Sequence, residues 1–224
     1  MNLFDRLFAT IRSSPFLYRF TLFTRILLVA GFTPSGLVKL MGQRFTLLGT
    51  DSPIGAFFEA MYQTGLYWRF IGLSQVVAAA LLLVPPLAHL GAATFVPIIL
   101  NIFIITVSLQ FTGTPFITGP MLLAACYLCF WDFHRFRPML TRKPFPYEVV
   151  DHRLDRWETV GFVTFALSLV SFFGTTRFSF RAELGRASLV AGFLAGVFTL
   201  GRFLWLRRSA GVGRLRPGVS RAEA

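Results

Sequence analysis

Cysteine and histidine are nearly missing from this sequence, and each scarcity removes a class of chemistry. The two cysteines, Cys126 and Cys129, lie in one apolar run, so no disulfide framework of a secreted scaffold is implied. The three histidines, His89, His134 and His152, sit in separate segments where no ligand spacing forms, and no metal is expected. Acidic residues are few as well, 10 against 22 lysines and arginines, for a formal net charge of +12. That excess would suit nucleic acid, but the basic residues lie between apolar runs or at the two termini, where they orient membrane spans. Nucleic acid is therefore not an expected partner; the lipid bilayer is.

What is abundant is apolar surface. The 224 residues are 54% hydrophobic, with a mean hydropathy of +0.63, and the apolar residues come in long runs rather than in the narrow stripes of a soluble core. The expected fold class is all-α, a polytopic transmembrane helix bundle in a cell membrane, the bacterial inner membrane. Residues 1–19 form a basic arm in which Leu3, Phe4, Leu7, Phe8 and Ile11 make an apolar face suited to the membrane surface. The first run lacks a small-residue cleavage site and contains Pro34 and Lys39, which predicts an uncleaved span over 20–41 with a kink at Pro34.

Further spans are expected over 66–84, 90–109 and 116–131, so that 20–137 forms a four-span module. A charged cytoplasmic linker over 138–156 follows, then two C-terminal hydrophobic spans over 157–206 and a basic tail over 207–224. The two prolines at 85–86 and the short link after them make the second and third spans antiparallel neighbours. In the last run Gly192 and Gly196 interleave with Ala191 and Ala195, a small-residue pattern that permits close helix approach. Counting lysines and arginines places the arm, the linker and the tail on the cytoplasmic side. Arg177, Arg181 and Arg186, in the loop between the last two spans, run against that assignment.

The stretch from Thr50 to Pro86 organises the chain. Ser52 and Pro53 predict a helix start, and Ile54, Phe57, Phe58, Met61 and Tyr62 recur on one face with Gly55, Glu59 and Gln63 on the other. After a break at Thr64 and Gly65, the second span holds Arg69 and Gln75. Ionisable groups inside spans are costly and mark function by default. Arg69 is expected to be buried and to pair with Glu59 across the Gly65 hinge. With Lys39, and with Asn101 as a neutral partner, these residues form the candidate ligand-binding set. Two cations against one carboxylate suit a small anion or the carbonyl oxygens of a quinone, the one cofactor entertained. Cys126 and Cys129 share a helix face as a C-x-x-C pair. A membrane thiol relay needs a second, extracytoplasmic pair that this chain lacks, so the expectation is that they pack as apolar residues.

The residues RILLVAGFTPSGLVKLMG, FFEAMYQTGLYWRFIGLSQVVAAALLLVP, LGAATFVPIILNIFIITVSLQFTGTP and WDFHR together resemble the DoxX-like family of small membrane proteins, over residues 20–137. The resemblance implies a four-helix membrane module linked to respiratory or redox chemistry, with a redox-enzyme subunit as its partner. It carries over no catalytic residues, and CYLC and the region from Met139 onward depart from the family pattern. Three readings result: an accessory subunit of a quinone-coupled redox complex, an oxidoreductase or quinone- or anion-binding protein built on Arg69, Glu59 and Lys39, and a small transporter. The last is weakened because no span carries a polar stripe along its length. A homo-oligomer is left open.

Overall fold

Ser14 and Pro15 set the start of the first long helix: the serine side chain accepts the Leu17 amide, and proline takes the first helical position. The computed structural model describes residues 3–142, 152–177 and 182–212. Among them every regular element is a helix. Residues 143–151 of the expected charged linker, residues 178–181 of the loop expected between the last two spans, and the tail from 213 lie outside the described residues.

Residues up to 152 form one compact unit and those from 153 a second. In the first, α1 (Leu3–Arg12) precedes α2 (Pro15–Leu40), so the expected arm is split and its last residues belong to the span helix. Next come α3 (Pro53–Gln63), α4 (Leu66–Leu83), α5 (Ala88–Ser108), α6 (Pro115–Trp131) and α7 (Phe133–Thr141). Helix α2 packs on α4, α4 on α5, α5 on α6, and α6 back on α2, closing a four-helix ring. Pro34 does not interrupt α2. At its end, Gly42 turns left-handed at φ 68°, and the Gln43 amide reaches the Val38 carbonyl, a cap that folds the chain back over the helix end.

The ring is filled by stacked Phe32 and Phe95, whose centroids are 3.8 Å apart, with Ala78, Leu82, Ile99 and Leu128 around them. Helices α2 and α4 meet at glycines: a methyl group on Gly72 would stand 2.5 Å from both the Gly36 carbonyl oxygen and the Leu40 amide. Only residues without side chains allow this approach.

Two further contacts close α2 against α6 near the other end. The Thr21 and Tyr127 hydroxyls are 2.9 Å apart, and Arg25 pairs with Asp132 at 2.7 Å, with side chains only 12% and 4% exposed. Helix α1 then covers this end. Its buried Phe8 packs edge-on against Phe130, Arg12 lies 4.4 Å over the Trp131 ring, and Asp5 binds Arg137 at 2.7 Å. Of the expected apolar face, Leu3 and Leu7 point outward while Phe8 is buried.

In the second unit, α8 (Arg156–Arg177) and α9 (Ala182–Val212) form a hairpin. Glu158 accepts the Asp155 amide, a capping box that starts α8. Gly192, Ala195, Thr199 and Phe203 of α9 are buried, whereas Ala191 is exposed and Gly196 intermediate, so only part of the interleaved small-residue pattern faces inward.

Among the described residues, four helices are long and apolar enough to cross a membrane: α2, α4, α5 and Gly185–Arg207 within α9. Helices α6 and α7, bent by 66°, add a fifth if the pair is one span. Helix α7 carries the chain from Phe133 to Thr141, into the start of the expected charged linker. The chain is compatible with a multi-pass membrane protein.

Candidate functional site

The cap at Gly42 delivers residues 43–48 onto the end of the α2–α4 pair, and here the structure assembles part of the expected site. Lys39, in the last turn of α2, is 6% exposed. Its Nζ donates to Ser35 Oγ at 2.6 Å, to the Ser35 carbonyl at 3.1 Å and to Gln75 Oε1 at 3.2 Å. The same ammonium lies 4.3 Å from the Phe45 centroid and 5.4 Å from that of Trp68, distances at which an aromatic face stabilises a cation. Trp68 is itself fixed, because its indole donates to the Gln43 carbonyl at 2.9 Å.

Above this ammonium lies α3. Ser52 Oγ accepts the Gly55 amide at 3.1 Å, as the Ser-Pro start predicts, and Phe58 reaches Phe45 with centroids 5.5 Å apart. Gly55, expected on the wet face, is instead the buried residue of α3. A Cβ there would run into the Gly49 carbonyl, so the loop is folded tightly against the helix. Glu59 makes a two-point bond to Arg44, 2.8 Å to Nε and 3.0 Å to Nη2, and Arg44 also covers Tyr62 at 4.4 Å. The hydrogen bond from Arg44 holds the Glu59 carboxyl below its ordinary range, and that bond in turn raises the guanidinium. A narrow cleft with a cavity volume of about 10 Å³ lies between Arg44, Phe45 and Leu48 on one side and Gly55, Phe58 and Glu59 on the other.

The other candidates lie elsewhere. Arg69, expected to be buried and paired with Glu59, is exposed; its guanidinium lies over Gly42, with Nη2 3.2 Å from where a Cβ would be. A rotation of one position along α4 is the physical reason: Trp68 takes the inward direction and Arg69 the outward one, while Arg44 takes up the carboxylate. Asn101 is exposed on α5. Cys126 is exposed and Cys129 intermediate, both as free thiols, so the pair straddles the bundle surface rather than lining a common interior face.

Sequence reasoning passed over Arg25, Arg44 and Trp131. For Arg25 a signal was present: a cation within the first apolar run and an aspartate closing the fourth are opposite charges whose cost in lipid falls when they meet. Arg44 carried no such signal.

No family model and no solved structure matches the chain. It is 35% identical over 80 residues to YwoB of Bacillus subtilis (strain 168), a protein described as uncharacterized. That alignment takes in 35% of this chain and 51% of YwoB, so the chain spans about half the length of the curated relative it matches.

Proposed function

We propose that the protein is an accessory subunit in the membrane, acting beside a quinone-coupled redox enzyme and holding a quinone head or a small anion at Lys39. The observation that carries this reading is the buried ammonium on Ser35 and Gln75 beneath the Phe45 and Trp68 rings. A flat carbonyl-bearing ring fits such surroundings: its oxygen takes a proton donor, and its face lies against aromatic carbon. The resemblance of residues 20–137 to DoxX-like proteins supports the redox setting.

The adjoining cleft has a cavity volume of only about 10 Å³, far short of the ~300–1,000 Å³ of sites that enclose a whole organic ligand. Entry therefore requires α3 to lift, and the Arg44–Glu59 bond is what holds it down. In this reading the two C-terminal hydrophobic helices both span, and residues 1–19, 133–156 and 207–221 face the cytoplasm. Reporter fusions at Arg19, Lys143 and Arg214 test that topology.

The ligand reading is tested with a photoreactive short-chain quinone on the whole protein in lipid nanodiscs. Label is expected on peptides containing Ser35 to Trp68, lost in Lys39→Met and retained in Arg69→Gln. Equal labelling of Lys39→Met and wild type, at equal protein abundance, would overturn it.

A further inference from the structure

Helix α5 carries two polar features on a face that nothing in the first unit covers. Asn101 is exposed, and among the described residues its side-chain amide has no hydrogen-bond partner. It is three residues past the helix midpoint, which places it about 4.5 Å from the centre of the span. One turn earlier on the same side stands Pro97, also exposed. Proline has no amide hydrogen, so the carbonyl of Ala93, an exposed residue one further turn back, lacks the donor that residue 97 would ordinarily supply. Around these lie Leu100, Ile104 and Val107, 41%, 54% and 49% exposed.

In water this face would be unremarkable. In the middle of a bilayer an amide and a carbonyl without partners are costly, and such groups are found where a neighbouring helix answers them. Two polar side chains on nearby surfaces are already answered at home: Ser74 donates to the Phe70 carbonyl and Thr94 to the Leu90 carbonyl.

We propose that this face of α5 is a self-association surface, and that its partner is α5 of a second copy of the chain. A carboxamide holds one acceptor and two donors, so it is complementary to itself. Two copies related by a two-fold axis along the membrane normal bring Asn101 to the same depth from both sides. Each amide then donates to the other's oxygen, while the Ala93 carbonyl, eight residues or about 12 Å back along the helix, is left to other partners. A lipid tail offers neither group, and a different protein would need a polar residue at matching depth. The apolar residues flanking Asn101 supply the packing, and the isologous geometry closes at two.

The test uses the full chain in membranes. In a background with Cys126→Ala and Cys129→Ala, Ile104→Cys, which keeps Asn101 and lies on the same exposed face, is expected to give an oxidant-dependent product at twice the chain mass. Dissociation followed by energy transfer in proteoliposomes is expected to be roughly three- to thirty-fold easier for Asn101→Leu, the range of an interhelical polar contact in lipid. Ser74→Leu should dissociate like wild type, and the thermal midpoint of the dispersed Asn101→Leu protein should not fall. Unchanged self-association in Asn101→Leu would overturn the proposal. So would the absence of any product at twice the chain mass, or a cross-link at the mass of a different protein.

Discussion

Removing Asp132 should harm this protein more than removing its partner, and the reason lies in what each side chain can do when left alone. The Arg25–Asp132 pair is 2.7 Å long with side chains 12% and 4% exposed. It joins the first helix of the ring to the last, and the Arg25 Nε is buried without a hydrogen bond. Breaking a buried pair from one side costs about 3–5 kcal/mol; because Arg25 keeps some contact with the surface, the lower part of that range applies. Asp132→Asn leaves a guanidinium that cannot shed its proton, and about 3 kcal/mol is expected, close to two orders of magnitude in the folding equilibrium. Arg25→Gln leaves a carboxyl that can take up a proton, and about 2 kcal/mol is expected. The double substitution should cost less than the two singles together by at least ~1.5 kcal/mol, since neither charge is stranded. Denaturant unfolding of the four proteins in mixed micelles measures this cycle. Additive losses, or a larger loss in Arg25→Gln than in Asp132→Asn, would refute the argument.

Three further outcomes are expected. Gly72→Ala places its methyl 2.5 Å from the Gly36 carbonyl; thermal melts should show a loss of about 1–3 kcal/mol as α2 and α4 are pushed apart. The Arg44–Glu59 clasp contributes above the ordinary carboxylate pKa of about 4.3 and is lost as pH falls through the lowered value of Glu59. A spin label at Thr46→Cys, in a background lacking Cys126 and Cys129, should thus keep constant mobility from about pH 7 to 5 and loosen below about pH 4, whereas Glu59→Gln should be loose throughout. Cys126→Ala with Cys129→Ala should leave abundance near wild type and cost under ~1.5 kcal/mol, because one thiol is exposed and the other only part of the packing; loss of a complementing phenotype at normal abundance would instead give the thiols a chemical role.

Local chemistry was readable and rotation was not. Ser52 and Pro53 announced α3, and Thr64 and Gly65 its end, because capping depends on a few adjacent residues. Ser14 and Pro15 carry the same signal for α2, yet the span was started at Phe20, where the apolar run becomes continuous. Lys39 was identified as a span lysine, and its place beside Ser35 follows from the spacing of four. Its bond to Gln75 depends on how α2 and α4 are turned about their axes, which the two glycines decide. Arg69 and Trp68 are adjacent, and a turn of 100° between them separates a surface cation from a buried ring. The Arg44–Glu59 bond depends on how the loop refolds at Gly42, which no periodicity records.

The clasps between α1, α2, α6 and α7 also impose an order on biogenesis. Asp5 and Arg137 are 132 residues apart in sequence, and Arg25 and Asp132 are 107 apart. A ribosome adding roughly 5–20 residues per second needs on the order of ten seconds to pass from one member of each pair to the other. Throughout that interval Arg25 sits in its span without a counter-ion, and Phe8 has no aromatic surface to cover it. A chain stalled before Phe130 therefore displays an undocked N-terminal helix and a stranded cation, so the condition of the first residues to emerge reports whether the module has been carried through its last helices.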